Sequence, residues 1–175
     1  VKYSLNDYVL KATAKALKNN KHILVSLDGD QIIKRAHVNI GMAVALEDGL
    51  IVPVIKDADK MSLGEISEAA RDLAERARTN KLSMDEYKGS TFSISNLGMF
   101  GVETFNPIIN QPDAGILGVC AVQDELVMDD AGAITKRQFM RISFTFDHRL
   151  IDGATAAKFE LAIRDLMEHP MQILL

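Results

Sequence analysis

Three segments of the chain carry apolar residues at the three-to-four-residue spacing of an amphipathic helix. Each segment follows a polar residue that suits an N-cap, namely Ser4, Ser62 or Asp152. Asp7 and Glu65 stand three residues after the first two caps, which is the spacing of a capping box. The apolar faces predicted for the three helices are Leu5, Val9, Ala12 and Ala16, then Leu63, Ile66, Ala70, Leu73, Ala74 and Ala77, and finally Ala156, Phe159, Ile163 and Leu166.

Short apolar runs separated by turn residues predict strands between these helices. HILVSL and QIIKRA flank Asp28-Gly29-Asp30, which is a hairpin signal. NIGMAVALEDGLIVPVI contains two apolar strands around residues 47–49. The second of these is so apolar that we expect it to be buried on both faces.

The stretch STFSISN alternates between small polar and apolar residues. This period of two predicts a strand with Ser93 and Ser95 on one face and Phe92 and Ile94 on the other. LGMFG follows, and its glycines predict a loop that bends sharply or approaches another group closely. GILGVCAV, a turn at 129–132 and residues 137–146 predict two more strands. Strands joined by hairpins, with helices between them, indicate an α+β fold in a single domain over 1–175.

Composition excludes several classes of function. Hydrophobic residues make up 47% and charged residues 25% of the 175, which is typical of a globular protein. The net charge of −4 argues against a nucleic-acid partner, and the longest apolar runs are too short to span a membrane. Cys120 is the single cysteine and cannot form an internal disulfide; its apolar neighbours predict a buried, inert thiol.

The stretch SFTFDHRLIDGATAAKF places polar residues where a strand gives way to a helix. A histidine held there, His148, has the chemistry to take a proton from a thiol or hydroxyl. Asp152 suits a helix cap, and Gly153 allows a close backbone approach. Spacing alone leaves a second interpretation open, in which a backbone carbonyl satisfies His148 and Asp152 serves only as the cap.

Other chemistries lack their motifs. The sequence has no HExxH or paired CxxC, so we expect no metal site, and we interpret His22, His37 and His169 as ordinary surface or strand-end residues. It also has no GxxxxGK[ST] or GxGxxG phosphate loop. Without a GxSxG elbow, Ser95 is not expected to be a hydrolase nucleophile.

FDHRLIDGA resembles the DHRxxDGA motif of the dihydrolipoamide acyltransferases, the E2 cores of 2-oxo acid dehydrogenase complexes. GMAVALEDGLIVPVIKDADKMSLGEIS and FSISNLGMFGVETFNPIINQPDAGILGV are similar to two further stretches of that family, so the resemblance covers essentially the whole chain. It implies a fold like that of chloramphenicol acetyltransferase, a two-layer sandwich of a mixed β-sheet with helices packed on one side.

The resemblance also implies roles for individual residues. His148 matches the general base, Ser95 the hydroxyl that stabilises the oxyanion, and Asp152 a residue that holds the site's geometry. Asp147, Arg149, Gly153, Asn96 and Gly98 match supporting positions. The implied reaction moves an acyl group between coenzyme A and a dihydrolipoyl thiol, with no metal, and SNLGMFG is more similar to acetyl-transferring members.

The implied assembly is a homotrimer with active sites between subunits, in a core of 24 or 60 copies. The implied partners are a lipoyl domain and the E1 and E3 components, with no nucleic acid or membrane. We expect the chain to lack the lipoyl and peripheral-subunit-binding domains and the first part of the catalytic domain. The resemblance implies the cytoplasm of a bacterium or the mitochondrial matrix of a eukaryote.

Two alternatives remain at this point. One is an enzyme of the same fold that transfers acyl groups from coenzyme A to a small hydroxyl or amine. The other is a non-catalytic scaffold subunit, but such subunits usually lose the motif histidine, and His148 and Ser95 are both present.

Overall fold

The computed structural model describes residues 2–174 and contains the three predicted helices. They are α1 (Leu5–Asn19), α2 (Leu63–Arg78) and α3 (Gly153–Glu168), followed by a short α4 (Met171–Leu174). Both predicted capping boxes and the Asp152 cap are confirmed. The predicted apolar faces are buried except for two residues: Ala74 is half-buried, and Leu5 is exposed because the first turn of α1 borders an open cleft.

Nine strands lie within the described residues, and five of them form one mixed sheet. The order in this sheet is β6-β3-β7-β8-β9, and β7 runs parallel to both of its neighbours. The other four strands form two separate hairpins, β1/β2 and β4/β5. The bounds are β1 Val25–Asp28, β2 Gln31–Lys34, β3 Ile40–Met42, β4 Val44–Leu46, β5 Gly49–Ile51, β6 Val54–Ile55, β7 Phe92–Asn96, β8 Gly115–Met128 and β9 Ile134–Phe146.

The prediction of a strand buried on both faces within GLIVPVI was wrong. Pro53, which has no N–H to donate, stands between two short strands with different surroundings. Before it, β5 pairs only with β4, and Leu50 is 64% exposed. After it, Val54 and Ile55 are buried and β6 pairs with β3 at the edge of the sheet. The apolar run therefore serves two strands rather than one.

Strand β7 alternates as predicted, and the helices pack against its apolar face. Phe92 and Ile94 are almost fully buried in the core between the sheet and the helices. The Phe92 ring lies 5.5 Å from the ring of Phe159 in α3 and 5.7 Å from that of Phe144 in β9. These aromatic contacts join the helical layer to both β7 and β9.

The opposite face of the sheet is crossed by residues 102–113, which we call the cover segment. The Ala121 N–H donates to the Val102 carbonyl at 2.8 Å, and the Ser143 hydroxyl donates to the Phe105 carbonyl at 2.7 Å. Gly118 lies directly beneath, because a Cβ there would come within 3.0 Å of the Pro107 ring. The cover segment therefore packs closely over β8 and β9.

Strands β8 and β9 continue beyond the sheet as a two-stranded ribbon. A bulge between Val119 and Val122 separates the ribbon, residues 123–128 and 134–139, from the part that lies in the sheet. Ion pairs join Lys136 to Asp124 at 2.8 Å and Arg141, at the base of the ribbon, to Glu125 at 2.6 Å. Large apolar side chains on this ribbon are about three-quarters exposed: Leu126, Met128 and Ile134. None of the helices within residues 2–174 is long and apolar enough to cross a membrane.

Replacing Phe159 with alanine tests the joint between the helical layer and the sheet. We expect a loss of about 3–5 kcal/mol in the free energy of unfolding, because a fully buried ring is removed and its cavity remains. Urea denaturation followed by circular dichroism measures this loss. The control is Phe100→Ala, at a ring 63% exposed, which should change stability by less than about 0.5 kcal/mol. Similar losses in the two variants would contradict this account of the core.

Candidate active site

His148 lies in a tight turn immediately after β9. The turn is closed by hydrogen bonds from the N–H groups of Leu150 and Ile151 to the Asp147 carbonyl. The His148 side chain is exposed, and its ring lies 5.5 Å from that of Phe146. Among residues 2–174 its ring nitrogens form no hydrogen bond, so the backbone carbonyl that would satisfy a structural histidine is not found there. The ring is therefore presented outward from a fixed piece of backbone.

The residues on either side of His148 hold this turn together. The Arg149 guanidinium bonds to the Asp147 carboxylate at 2.9 Å and 2.6 Å, and the Arg149 N–H also donates to that carboxylate. Hydrogen bonding from Arg149 holds the pKa of Asp147 below its usual value. The two predicted supporting residues thus form a pair, and the pair restrains the backbone that carries His148.

Asp152 follows four residues later and caps α3. One carboxylate oxygen accepts from the Thr155 N–H at 2.9 Å and the other from the Thr155 hydroxyl at 2.8 Å. These bonds lower the pKa of Asp152, so the side chain is ionised at neutral pH. Gly153 faces open space, since no atom of the described chain lies within 4 Å of where a Cβ would stand.

Ser95 lies near the end of β7, on the face opposite the helices. Its side chain is half-buried, and no hydrogen bond from its hydroxyl is found within residues 2–174. Asn96 is held on both sides, since its amide donates to the Asn6 side chain at 2.9 Å and its oxygen accepts from the Gly98 N–H at 2.9 Å. Gly98 is confirmed as a close approach, because a Cβ there would stand 2.8 Å from the Cys120 carbonyl.

A cleft of about 1060 Å³ opens at this end of β7. Ser95 lines it together with the loop that follows, the start of α1, one side of α2 and part of β8. Met99 and Phe100 stand largely exposed at the loop. Cys120 also lines the cleft and is buried, as predicted. The cleft is large enough for a substrate of drug-like or cofactor size.

His148 does not line this cleft, and the sheet register separates it from Ser95. Ser95 pairs with Gly118, which pairs with Ser143, and β9 then runs three more residues to Phe146. At about 4.8 Å between strands and about 3.3 Å per residue, the Cα atoms of Ser95 and Phe146 lie roughly 14 Å apart. His148 comes two residues after Phe146. The structure thus does not bring His148 and Ser95 together within one chain.

The family of 2-oxoacid dehydrogenases acyltransferase (catalytic domain) matches residues 1–175. The chain belongs to this family. Two relatives of this acyltransferase domain illustrate its members. The succinyltransferase component of the 2-oxoglutarate dehydrogenase complex of Rickettsia typhi is 43% identical over the whole chain, which covers 44% of that protein. The acetyltransferase component of the pyruvate dehydrogenase complex of Zymomonas mobilis is 45% identical over 99% of the chain and 39% of that protein. The chain thus spans less than half the length of these relatives.

Solved structures agree with this assignment. A dihydrolipoamide acetyltransferase from Azotobacter vinelandii, studied for the catalytic role of a serine, a histidine and an asparagine, has a TM-score of 0.93 and 40% identity, over the whole chain and 72% of that structure. The cubic core of a pyruvate dehydrogenase multienzyme complex overlaps equally well. Chloramphenicol acetyltransferase, at 14% identity and a TM-score of 0.62 over 94% of the chain and 78% of that structure, shares the fold. The α+β architecture predicted from the sequence is confirmed.

Three residues that line the same cleft as Ser95 were not among the predicted site residues. Asn6 bonds to Asn96, and Arg71 and Arg78 line the cleft from α2. The two arginines are seven residues apart, so they share a helical face, and this spacing is the signal that could have identified them. Among residues 2–174 no three His, Cys, Asp or Glu side chains gather as a metal site would require.

Substitution of Asp152 tests whether its carboxylate acts as a cap in the free domain. Asp152→Ala should lose about 1 kcal/mol of unfolding free energy, because the Thr155 N–H loses its acceptor. Asp152→Asn should stay within about 0.5 kcal/mol of the original, since asparagine caps helices as well as aspartate does. Urea denaturation at pH 7 measures both. Equal losses in the two variants would show that the negative charge, rather than the cap, is what matters.

Proposed function

We propose that this domain transfers an acyl group between a dihydrolipoyl thiol and coenzyme A by direct attack of one thiol on the thioester of the other. The observation that carries the proposal is the family match over residues 1–175, on a fold in which neither the His148 ring nor the Ser95 hydroxyl has a hydrogen-bond partner within residues 2–174. Both groups are therefore free to act on a substrate. A thiol and a thioester supply all the atoms of the reaction, and the chemistry needs no metal.

In this proposal, His148 accepts the proton of the attacking thiol as the S–C bond to the carbonyl carbon forms. The carbonyl oxygen becomes an oxyanion, which accepts a hydrogen bond from the Ser95 hydroxyl. One such donor typically accelerates acyl transfer by ~10²–10³. When the intermediate collapses, the other C–S bond breaks and the leaving thiolate recovers the proton from His148. No acyl group is attached to the protein at any step.

We propose that His148 of one chain works with Ser95 of another copy. The separation of about 14 Å between Ser95 and the end of β9 supports this, because neither side chain spans it. A homotrimer with three such sites, in a core of 24 or 60 copies, satisfies the arrangement. The similarity to a solved cubic core also supports it. The lipoyl domain and the E1 and E3 components complete the proposed partners, in a bacterial cytoplasm or a mitochondrial matrix.

Asp152 acts in this proposal as a positioning residue. The hydrogen bonds from Thr155 to both of its oxygens lower its pKa, so it is a weak base for the proton of a thiol. In the Azotobacter vinelandii enzyme the asparagine under study also stands four positions after the histidine. An amide does not act as a base, and its presence in a relative supports a geometric role for Asp152.

We further propose that the transferred group is acetyl. Succinyl carries a terminal carboxylate, which calls for a cation near the reacting carbonyl. The loop directly after Ser95 contributes apolar side chains from Leu97, Met99 and Phe100 to the cleft, whereas its arginines, Arg71 and Arg78, come from α2. The relatives include both acetyl- and succinyltransferases, so this specificity rests on the cleft and on the resemblance of SNLGMFG.

A mixing experiment tests the shared site. His148→Ala and Ser95→Ala, made separately in the intact protein, should each lower kcat by at least ~10². Random co-assembly of the two variants in equal amounts should restore about a quarter of the original activity. Each site then has an even chance of a native His148 from one chain and an independent even chance of a native Ser95 from the other. The matched control is His169→Ala, at an exposed histidine that caps α3, which should leave the rate unchanged. No recovery on mixing would place the whole site within one chain.

Side-by-side rates with acetyl-, succinyl- and isobutyryl-CoA and free dihydrolipoamide test the acyl group. We expect acetyl-CoA to give the highest kcat/KM, with succinyl-CoA at least ~10-fold lower because its carboxylate would lie against the apolar side chains of Leu97, Met99 and Phe100. A preference for succinyl-CoA would overturn the acetyl assignment alone. Turnover with small alcohols or amines, but with none of the lipoamide thioesters, would instead favour the alternative enzyme of the same fold.

A further inference from the structure

A buried polar cluster outside the predicted site joins the cover segment to β7. Asp113, at the end of the cover segment, is 4% exposed, and Ser93 is 1% exposed. The Ser93 hydroxyl donates to one oxygen of the Asp113 carboxylate at 2.6 Å, and the Ser90 hydroxyl donates to the other at 3.0 Å. The Asn110 amide, also in the cover segment, donates to Ser93 at 3.3 Å. Two residues of the cover segment therefore bind the same strand.

Ser93 has little freedom to move within this cluster. A Cβ placed on Gly41 of the neighbouring strand would stand 2.9 Å from the Ser93 hydroxyl oxygen, so β3 packs closely against it. Ser93 is two residues before Ser95, and in a strand such residues share a face. The cluster thus lies on the same face of β7 as the hydroxyl proposed to bind the oxyanion.

The other end of the cover segment packs beside Ser95 itself. Ser95 pairs with Gly118, and a Cβ on Gly118 would stand 3.0 Å from Pro107 and 3.1 Å from Phe105. The Ser143 hydroxyl binds the Phe105 carbonyl from β9. Phe105 and Pro107 therefore pack next to Ser95. Ser143 holds this part of the cover segment on β9, and Asp113 holds the end of the segment on β7.

We propose that Asp113 is a positioning residue for acyl transfer, which fixes the cover segment against β7 and thereby fixes the surroundings of the Ser95 hydroxyl. The inference rests on the proposed function. Asp113 acts through the cover segment and Ser93, and it does not contact the reacting atoms. A displacement of about 1 Å in a catalytic group lowers rates by up to ~10². A cover segment that is held less firmly beside Ser95 is therefore expected to reduce kcat.

The charge of Asp113 provides an independent signature. Burial raises its pKa to about 6, against the opposing effects of the hydrogen bonds from Ser93 and Ser90 and of the positive charge of Arg35. Because this pKa is higher in the folded than in the unfolded chain, the folded state binds more protons between about pH 4 and pH 6. The contribution of Asp113 to stability is therefore present below about pH 4 and lost as the pH rises through 6.

The test compares Asp113→Ala, Asp113→Asn and Ser93→Ala in the intact protein. Asp113→Ala should lower kcat by ~10-fold or more, with the KM for coenzyme A within ~2-fold, because the substrate cleft itself is untouched. Asp113→Asn should retain kcat within ~3-fold, since an amide accepts from one serine and donates to the other. Ser93→Ala keeps the carboxylate, removes its shorter bond and should behave like Asp113→Ala. Asp124→Ala, on the exposed ribbon, is the matched control with no expected change.

Two measurements without substrate accompany the kinetics. Amide hydrogen exchange should quicken across residues 102–113 in Asp113→Ala and Ser93→Ala but not in Asp113→Asn. Relative to Asp113→Asn, the equilibrium constant for unfolding of the original protein should increase by up to ~10²-fold from pH 4 to pH 6.5. Quickened exchange with an unchanged kcat, or loss of kcat in Asp113→Asn equal to that in Asp113→Ala, would overturn the inference. A lack of lipoamide turnover in the original protein would instead overturn the proposed function. Hydrogen exchange would still show whether Asp113 fixes the cover segment to β7.

Discussion

Strand β7 lies in the middle of the five-stranded sheet, hydrogen bonded along both edges to parallel neighbours, and its side chains alternate between two layers. Phe92 and Ile94 enter the apolar core with the helices, while Ser93 and Ser95 face the cover segment. A shift of one residue in register would exchange these two sets and bury hydroxyls in the core. The same constraint that forms the core therefore also positions the serine side chains.

The two halves of the candidate site are supported in different ways. Ser95 depends on long-range packing, because β3, β8 and residues 102–113 all meet around its strand. His148 depends on local bonds within a few residues, since Asp147 and Arg149 close its turn and Asp152 starts the next helix. The histidine is thus held by a short motif, while the serine needs the whole sheet. The residues that position His148 are therefore all found within FDHRLIDGA, whereas Ser95 in FSISNLG is positioned by residues that are distant in sequence.

Local rules predicted much of the fold. Capping boxes at Ser4 and Ser62, the cap at Asp152 and the alternation of STFSISN each depend on residues within one turn or strand, and all four are confirmed. Prediction failed where tertiary surroundings decide. GLIVPVI looked like one buried strand because apolarity does not reveal that Pro53 separates an exposed hairpin from a buried edge.

The site shows the same division. His148, Ser95 and their neighbours were found from motifs, but Asp113 looked like an ordinary loop residue. Its burial depends on the path of residues 102–113 across three strands, and no local sequence pattern predicts that path. Arg71 and Arg78 were hidden for a similar reason, since charged residues on a helix normally face water and α1 and β4 are what place them at a cleft.

The ribbon of β8 and β9 has apolar and charged residues on its faces, and so hydrophobic burial alone specifies its pairing weakly. Surface ion pairs such as Lys136–Asp124 and Arg141–Glu125 contribute little to stability. They favour one alignment of β8 with β9, because a slip of one residue between the strands would place the two charges of each pair on opposite faces of the ribbon. Because salt screens exposed ion pairs, high salt weakens this preference for one alignment while changing the stability of the hairpin little.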